Sequence, residues 1–166
     1  DLRGEFGSTL AIIAAHVKEI DRQVLAGGDA DMAEEPARER LFDVLMRRLD
    51  AMQPHRDGIL RLFEDMRRDP AIALALAPHI GVAMRWMLEA AEVEAKSCEA
   101  RLLALGLAGV WLATIRAWAK DESPDMGTTM AALDNALDRA ERIARPLGLL
   151  RGDVEAAPVG PAAETS

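Results

Sequence analysis

The sequence has one cysteine, Cys98, and no tyrosine, and aromatic residues make up 4% of its 166 residues. One cysteine cannot form a disulfide within the chain, and it excludes a zinc site built from several cysteines. Strand-forming residues are scarce, because Ala and Leu outnumber Val, Ile and Thr. No stretch alternates apolar and polar residues over the length of a strand. We therefore expect an all-α protein.

Motifs for catalysis and metal binding are missing from the sequence. His16, His55 and His79 have no His or Cys partner three or four residues away, so no metal site is expected. There is no glycine-rich phosphate loop and no GxSxG nucleophile motif. Cys98 stands beside the acidic Glu99, which does not favour a reactive thiolate. The sequence gives no argument for an enzyme or for a cofactor.

The charge balance and the apolar runs limit the partners. The 20 basic and 28 acidic residues give a net charge of -8, which excludes a general binder of the phosphate backbone. The longest uncharged runs, Ala71–Met84 and Leu102–Ile115, are shorter than the roughly 18 residues of a membrane span. The chain opens on Asp1-Leu2-Arg3, which is unlike a signal peptide. We expect a soluble cytoplasmic protein with one globular domain and no membrane span.

Helical periodicity predicts six helices. Ser8 is the expected N-cap of the first, and Pro78 should kink or break the fourth. Ser123 and Pro124 should be the N-cap and first residue of the sixth. The predicted ranges are Thr9–Ala26, a helix starting near Pro36, His55–Arg68, Asp69–Glu94, Lys96–Lys120 and Pro124–Arg145.

The fifth predicted helix is apolar on every side in its middle, Leu102–Ile115, and contains several small residues. A helix of this kind must be buried on all sides, and a second copy of the chain could bury it. The alternative is the central helix of a monomer. Under the homodimer interpretation, the interface residues expected on the fifth and sixth helices are Gly106, Gly109, Ala113, Met130, Leu133 and Leu137.

Eight methionines and three tryptophans offer an adaptable lining for a small apolar molecule. Ordinary core packing explains the same residues, and the sequence leaves both interpretations open. His79 follows Pro78 in an apolar segment, so it is either a polar group in a pocket or a core histidine. The candidate contacts for an apolar effector are Phe63, Met66, His79, Met84, Met87 and Trp111.

The first residues resemble the end of the helix-turn-helix of TetR-family transcriptional regulators, with matches at Leu2, Phe6, Gly7, Ser8 and Ala11. The resemblance implies an all-α fold that dimerises through its last two long helices, and an effector-binding domain that controls DNA binding by an N-terminal head. It implies a remnant of that head in residues 1–8, a helical domain in 9–150 and a flexible tail in 151–166. The chain would then begin inside the recognition helix.

Three positions depart from the family pattern. Arg3, Glu5 and Thr9 stand where the family usually has Tyr, His and Lys, so only Arg3 keeps the ability to contact DNA phosphate. Lipid-binding accessory proteins of ubiquinone biosynthesis, which share the TetR fold, suggest an alternative: a lipid or quinone carrier without DNA binding. A second segment resembles the joint between the last two helices in some TetR-family members, and the accessory protein has a similar pattern there. Its matching residues are Trp118, Asp121, Ser123, Pro124, Asp125, Thr129, Leu133 and Asp134.

Overall fold

A computed structural model describes residues 34–93 and 95–149 together with Glu19, Ile20, Arg22 and Val24. These four residues are helical, and the side chains of Ile20 and Val24 are buried, as the predicted first helix requires. The described part of the chain contains helices and no strand, which confirms the all-α class. Residues 1–8 and 151–166 lie outside the described residues, so the predicted head remnant and tail stay predictions.

Five long helices follow the first one. The helices α4 and α5 pack on each other along their length, α3 packs on α4, and α1 packs on α3 and α5. Helix α2 packs mainly on α3. The bounds are α1 Ala37–Met52, a short 3-10 turn Gln53–His55, α2 Arg56–Arg68, α3 Pro70–Ala90, α4 Ser97–Trp118 and α5 Gly127–Ala144.

Helix α3 begins as the sequence predicts and ends four residues early. The carboxylate of Asp69 accepts a hydrogen bond from the N–H of Ala71 at 2.9 Å, which caps the helix. Pro78 lies inside the helix, so the predicted break is wrong. Pro78 removes one hydrogen bond, to the carbonyl of Leu74, and both residues lie on the exposed face, where water can satisfy that carbonyl.

The end of α3 is a Schellman motif with an unusual residue. The N–H of Val93 donates to the carbonyl of Leu88, and the N–H of Glu92 donates to the carbonyl of Glu89. Glu92 takes the left-handed position of this motif with φ of 52°, where glycine is the favoured residue. The motif stops α3 before the predicted end at Glu94.

Helix α5 begins at Gly127, so the prediction that Ser123 and Pro124 start it is wrong. The side chain of Ser123 does not cap a helix, because its hydroxyl donates to the carboxylate of Asp121. Met126 stands at the N-cap in the left-handed region, with φ of 52°. Residues 119–126 therefore form a structured joint between α4 and α5 (the α4–α5 joint).

Helices α3 and α4 carry more apolar surface than the chain buries. By length and composition alone, Pro70–Ala90 and Cys98–Trp118 could each cross a membrane, and core helices of soluble proteins meet the same criteria. Only 28% and 33% of their most apolar stretches are buried within the chain. Much of the apolar surface of the two helices is therefore exposed in the described structure.

Candidate functional site

The α4–α5 joint is organised around the carboxylate of Asp121. It accepts hydrogen bonds from the N–H and hydroxyl of Thr129, both at 2.7 Å, and from the N–H of Ser123 at 3.0 Å. The hydroxyl of Ser123 also donates to it. These hydrogen bonds, with that of the Ser123 hydroxyl the strongest, hold the pKa of Asp121 well below its usual value. The carboxylate thus caps α5 from the preceding joint, and it connects three residues of the segment singled out by the resemblance.

Arg56, the first residue of α2, closes the other side of this joint. Its Nη2 donates to the carbonyls of Trp118 at 3.0 Å, Asp121 at 3.1 Å and Ala119 at 3.3 Å. Its guanidinium also lies over the ring of Trp118, 5.5 Å from the centroid. A cation beside the last carbonyls of α4 is favourable for the helix dipole. Sequence reasoning missed Arg56, since only the tertiary fold brings it to α4.

Two arginines of α1 make the same kind of contact with other helices. Arg40 donates to the carbonyls of Ala91 at 2.7 Å and Glu92 at 3.3 Å, at the end of α3. Arg47 donates to the carbonyl of Val24, in the first helix, at 3.0 Å. Free carbonyls near helix C-termini are good acceptors for a guanidinium. Together with Arg56, these residues tie α1 and the start of α2 to three other helices.

Arg38, near the start of α1, ties that helix to α5. It donates hydrogen bonds to the carboxylates of Asp134 and Asp138 on α5, and to the carboxylate of Glu39, its neighbour in α1. The hydrogen bond to Asp134 contributes most to raising the pKa of Arg38 above its usual value. The side chain therefore stays a cation, and the network fixes the register of α1 along α5.

Three of the six candidate effector contacts lie in the hydrophobic core. Met84 and Met87 of α3 are almost completely buried, and so is most of Trp111 of α4. The guanidinium of Arg48, itself buried, lies over the ring of Trp111 at 5.3 Å from its centroid. The structure thus brings Met84, Met87 and Trp111 into one apolar cluster, and their role as effector contacts stays a prediction.

The other three candidates are less enclosed. Phe63 and Met66 lie on α2 and are partly buried, and Phe63 packs against the core cluster. His79 is exposed on α3, so the alternative of a core histidine is wrong. It falls on the same exposed face as Pro78, a position that helical spacing could have indicated.

An apolar groove of about 520 Å³ runs between α4 and α5 and reaches the start of α1. Four of the six predicted interface residues line it, namely Gly106, Gly109, Ala113 and Leu137. A Cβ placed on either glycine would meet no atom of the described residues within 4 Å, so no contact among those residues requires a glycine there.

Two of the interface candidates on α5 are more buried than the three on α4 that line the groove. Leu133 and Leu137 are 0% and 4% exposed, because they pack inside the protomer between α5 and its neighbours. Met130 is partly buried. A direct contact of Leu133 with a second chain would need the protomer to open, whereas Leu137 also reaches the groove. The proposal of an interface on these helices therefore shifts to side chains that the sequence analysis did not single out.

Large apolar side chains of α4 and of the end of α5 are exposed, and three of them, Leu102, Ile143 and Leu147, line the groove. Leu102, Leu105 and Leu112 follow each other at spacings of three and seven residues along α4, which is the signal that could have found them. We call this surface the α4–α5 face, and its apolar members are Leu102, Leu105, Leu112, Ile143 and Leu147.

The comparisons with known proteins support the fold. The chain is similar in structure to a TetR transcriptional regulator from Nitrosomonas europaea, with a TM-score of 0.64 and 22% identity. The match covers 80% of this chain and 72% of the other. No family model matches the chain, and no curated protein matches it. The structure therefore has the TetR-type all-α fold, as the sequence predicted, with no sequence relative to extend that likeness to function.

Proposed function

We propose that this chain is the effector-binding and dimerisation part of a cytoplasmic TetR-family transcriptional regulator. The observation that carries the proposal is the fold match over 80% of the chain to a protein described as a TetR transcriptional regulator. The resemblance of residues 2–11 to the end of a helix-turn-helix is consistent with it, because that segment precedes the helical domain as the family layout requires. A regulator of this kind needs no catalytic residues, and we expect no enzymatic activity.

In this proposal the protein works as a homodimer that pairs through the α4–α5 face. The support is the exposed apolar side chains of that face, with Leu105 at 72% and Ile143 at 64% exposure in the single chain. Monomeric proteins rarely expose large contiguous apolar patches to water. Two-fold pairing would bury the same face of both copies and fill the space above Gly106 and Gly109.

A small apolar effector would bind among Phe63, Met66, Met84, Met87 and Trp111, and His79, which is exposed on α3, is left out of this set. Methionine side chains adapt to irregular ligands, and Trp111 offers a large flat surface. The bound effector would favour one of two arrangements of the dimer, and thereby the spacing of the two DNA-reading heads. Arg3 is the one residue of the predicted head remnant that we expect to contact DNA phosphate.

A transcription reporter tests the proposal. The region upstream of the gene is fused to a reporter and measured with the full-length gene present, deleted, or carrying Leu105→Arg, which places a charge on the α4–α5 face. We expect repression by the native gene and its loss in the other two strains. Equal reporter levels in all three strains would contradict a regulator acting on its own upstream region.

The alternative is a lipid- or quinone-binding accessory protein with the same fold and no DNA binding. The apolar groove of about 520 Å³ favours it, since its volume falls within the range of small-molecule sites. Glu5, at a position that faces DNA in the family, favours it as well. Native mass spectrometry separates the two functions: a bound apolar molecule in a protein without DNA affinity supports the carrier.

A further inference from the structure

Helix α2 is the least anchored of the five long helices. None of its 13 residues is fully buried. Six residues of α1, five of α3 and five of α5 are buried in the same structure. Because burial of apolar side chains supplies most of the stability of a packed helix, α2 should open at the lowest free energy.

The inner side of α2 covers part of the core. Ile59, Leu60 and Phe63 are partly buried and pack against the cluster that contains Met84 and Met87. Helix α2 packs mainly on α3, which carries both methionines. Displacement of α2 would therefore expose the inner surface of α3.

The contacts that hold α2 are concentrated at one end. At its start, Arg56 binds the three carbonyls at the end of α4, and in the adjoining 3-10 turn the amide of Gln53 contacts Sδ of Met126 at 2.9 Å. At its other end, Arg68 has a 3.5 Å ion pair with Glu64 of the same helix, and both side chains are exposed. A helix held in this way would move about its first residue.

We propose that α2 is a lid that swings about Arg56 and admits a small apolar molecule to the core beside Met84 and Met87. The role of that molecule as an effector rests on the proposed function, whereas the motion of the lid does not. In the closed state these methionines have almost no contact with solvent, so a ligand that reaches them needs an opening. The anchor at Arg56 couples that opening to the α4–α5 joint, and hence to the helices of the proposed dimer.

Thiol labelling tests the lid with the protein alone. In a Cys98→Ser background, which removes the exposed native thiol, Ala83→Cys places a thiol next to Met84 on α3. Ala136→Cys is the matched control on α5, because both alanines are buried, at 3% and 6% exposure. Labelling with 5,5′-dithiobis(2-nitrobenzoic acid) then measures how often each site opens.

We expect the Ala83→Cys thiol to react at least about tenfold faster than the Ala136→Cys thiol, because local opening of α2 is more frequent than global unfolding. Arg56 is the pivot and keeps its contacts in the open lid, so Arg56→Gln should leave the first reaction within about twofold. It should speed the second reaction by about fivefold or more, because those contacts are lost only on unfolding. Arg68→Gln is the control on the same helix and should change neither rate. Uptake of Nile red, an apolar probe, should follow the first reaction and also stay within about twofold in Arg56→Gln.

Three results would overturn the lid. They are equal labelling of the two thiols, an Arg56→Gln effect of the same size on both, and Nile red uptake that Arg56→Gln accelerates as much as labelling of the Ala136→Cys thiol. The experiment uses neither DNA nor an effector. Its failure would therefore remove the lid and leave the proposed regulator standing, whereas loss of DNA binding would leave the lid in place.

Discussion

Shortening Leu105 to alanine should weaken the proposed dimer strongly. Leu105 is the most exposed apolar side chain of the α4–α5 face, with 72% of its surface accessible in the protomer. In a two-fold dimer each substitution acts twice, once in each copy. The same change at Leu74 gives a matched control, because Leu74 is 77% exposed on α3, away from the groove between α4 and α5.

The size of the effect follows from the carbon atoms removed. Leucine to alanine deletes three carbons, each worth about 0.8 kcal/mol when buried, or roughly 2.4 kcal/mol per copy. Scaled by the 72% of the surface that a partner could newly cover and doubled for two copies, the loss is about 3.5 kcal/mol per dimer. At about 1.4 kcal/mol per tenfold, the dimer dissociation constant should rise by about three-hundredfold.

Sedimentation velocity over a wide concentration range measures that constant for the native chain, Leu105→Ala and Leu74→Ala. We expect Leu105→Ala to shift the monomer–dimer midpoint by about two and a half decades and Leu74→Ala by less than about twofold. Circular dichroism should show all three chains equally helical. Equal shifts for the two variants, or a native chain that stays monomeric at all concentrations, would refute an interface on the α4–α5 face.

Four further substitutions test the contacts and backbone conformations that shape the fold. Arg56→Ala should lower the free energy of unfolding by about 2–4 kcal/mol. The two protons of one guanidinium nitrogen serve three carbonyls, and hydrogen bonds to a charged group are worth about 1.5–3 kcal/mol each. A loss below about 0.5 kcal/mol in urea unfolding would contradict that role. Glu92→Gly should stabilise the chain by about 0.5–1 kcal/mol in thermal unfolding, because glycine takes the left-handed position without strain; Gly148→Ala, at a φ of 66°, should do the opposite. Because the pKa of Asp121 is lowered, the folded state binds a proton at this carboxylate less readily than the unfolded chain does. The carboxylate therefore stabilises the folded state fully at pH values above the usual Asp pKa near 4, and this stabilisation is lost as the pH falls below that value. Urea unfolding at several pH values should therefore show Asp121→Asn with a weaker pH dependence than the native chain below about pH 4, and identical profiles would contradict the capping role.

The helices could be predicted because the apolar periodicity and the capping and helix-breaking residues agreed with each other. Asp69 and Pro70 mark the start of α3 in the sequence, and the structure has both in their expected roles. The same signature misled at Ser123 and Pro124, since an N-cap serine is equally able to bind a nearby carboxylate. In the structure the hydroxyl of Ser123 binds Asp121, and the sequence alone does not show which acceptor a serine will bind.

The candidate site was harder to predict, because a helical stripe shows which residues share a face and leaves open what covers that face. Leu133 falls on an apolar stripe of α5 and is buried inside the protomer, whereas Leu105 falls on the uniformly apolar α4 and is exposed. His79 lies in an apolar run and still faces solvent, because its helix covers the core with its other side. Long-range contacts such as those of Arg56 leave no local signal at all.

The most direct test of the regulator is DNA binding by the full-length gene product, measured by fluorescence anisotropy. The probes are labelled DNA from the region upstream of its own gene and a scrambled duplex of equal length, each titrated at two salt concentrations. The account predicts tighter binding to the upstream DNA, with an affinity that falls as salt rises. No binding at low salt by a folded dimer would contradict the regulator and leave the apolar-ligand carrier as the better proposal.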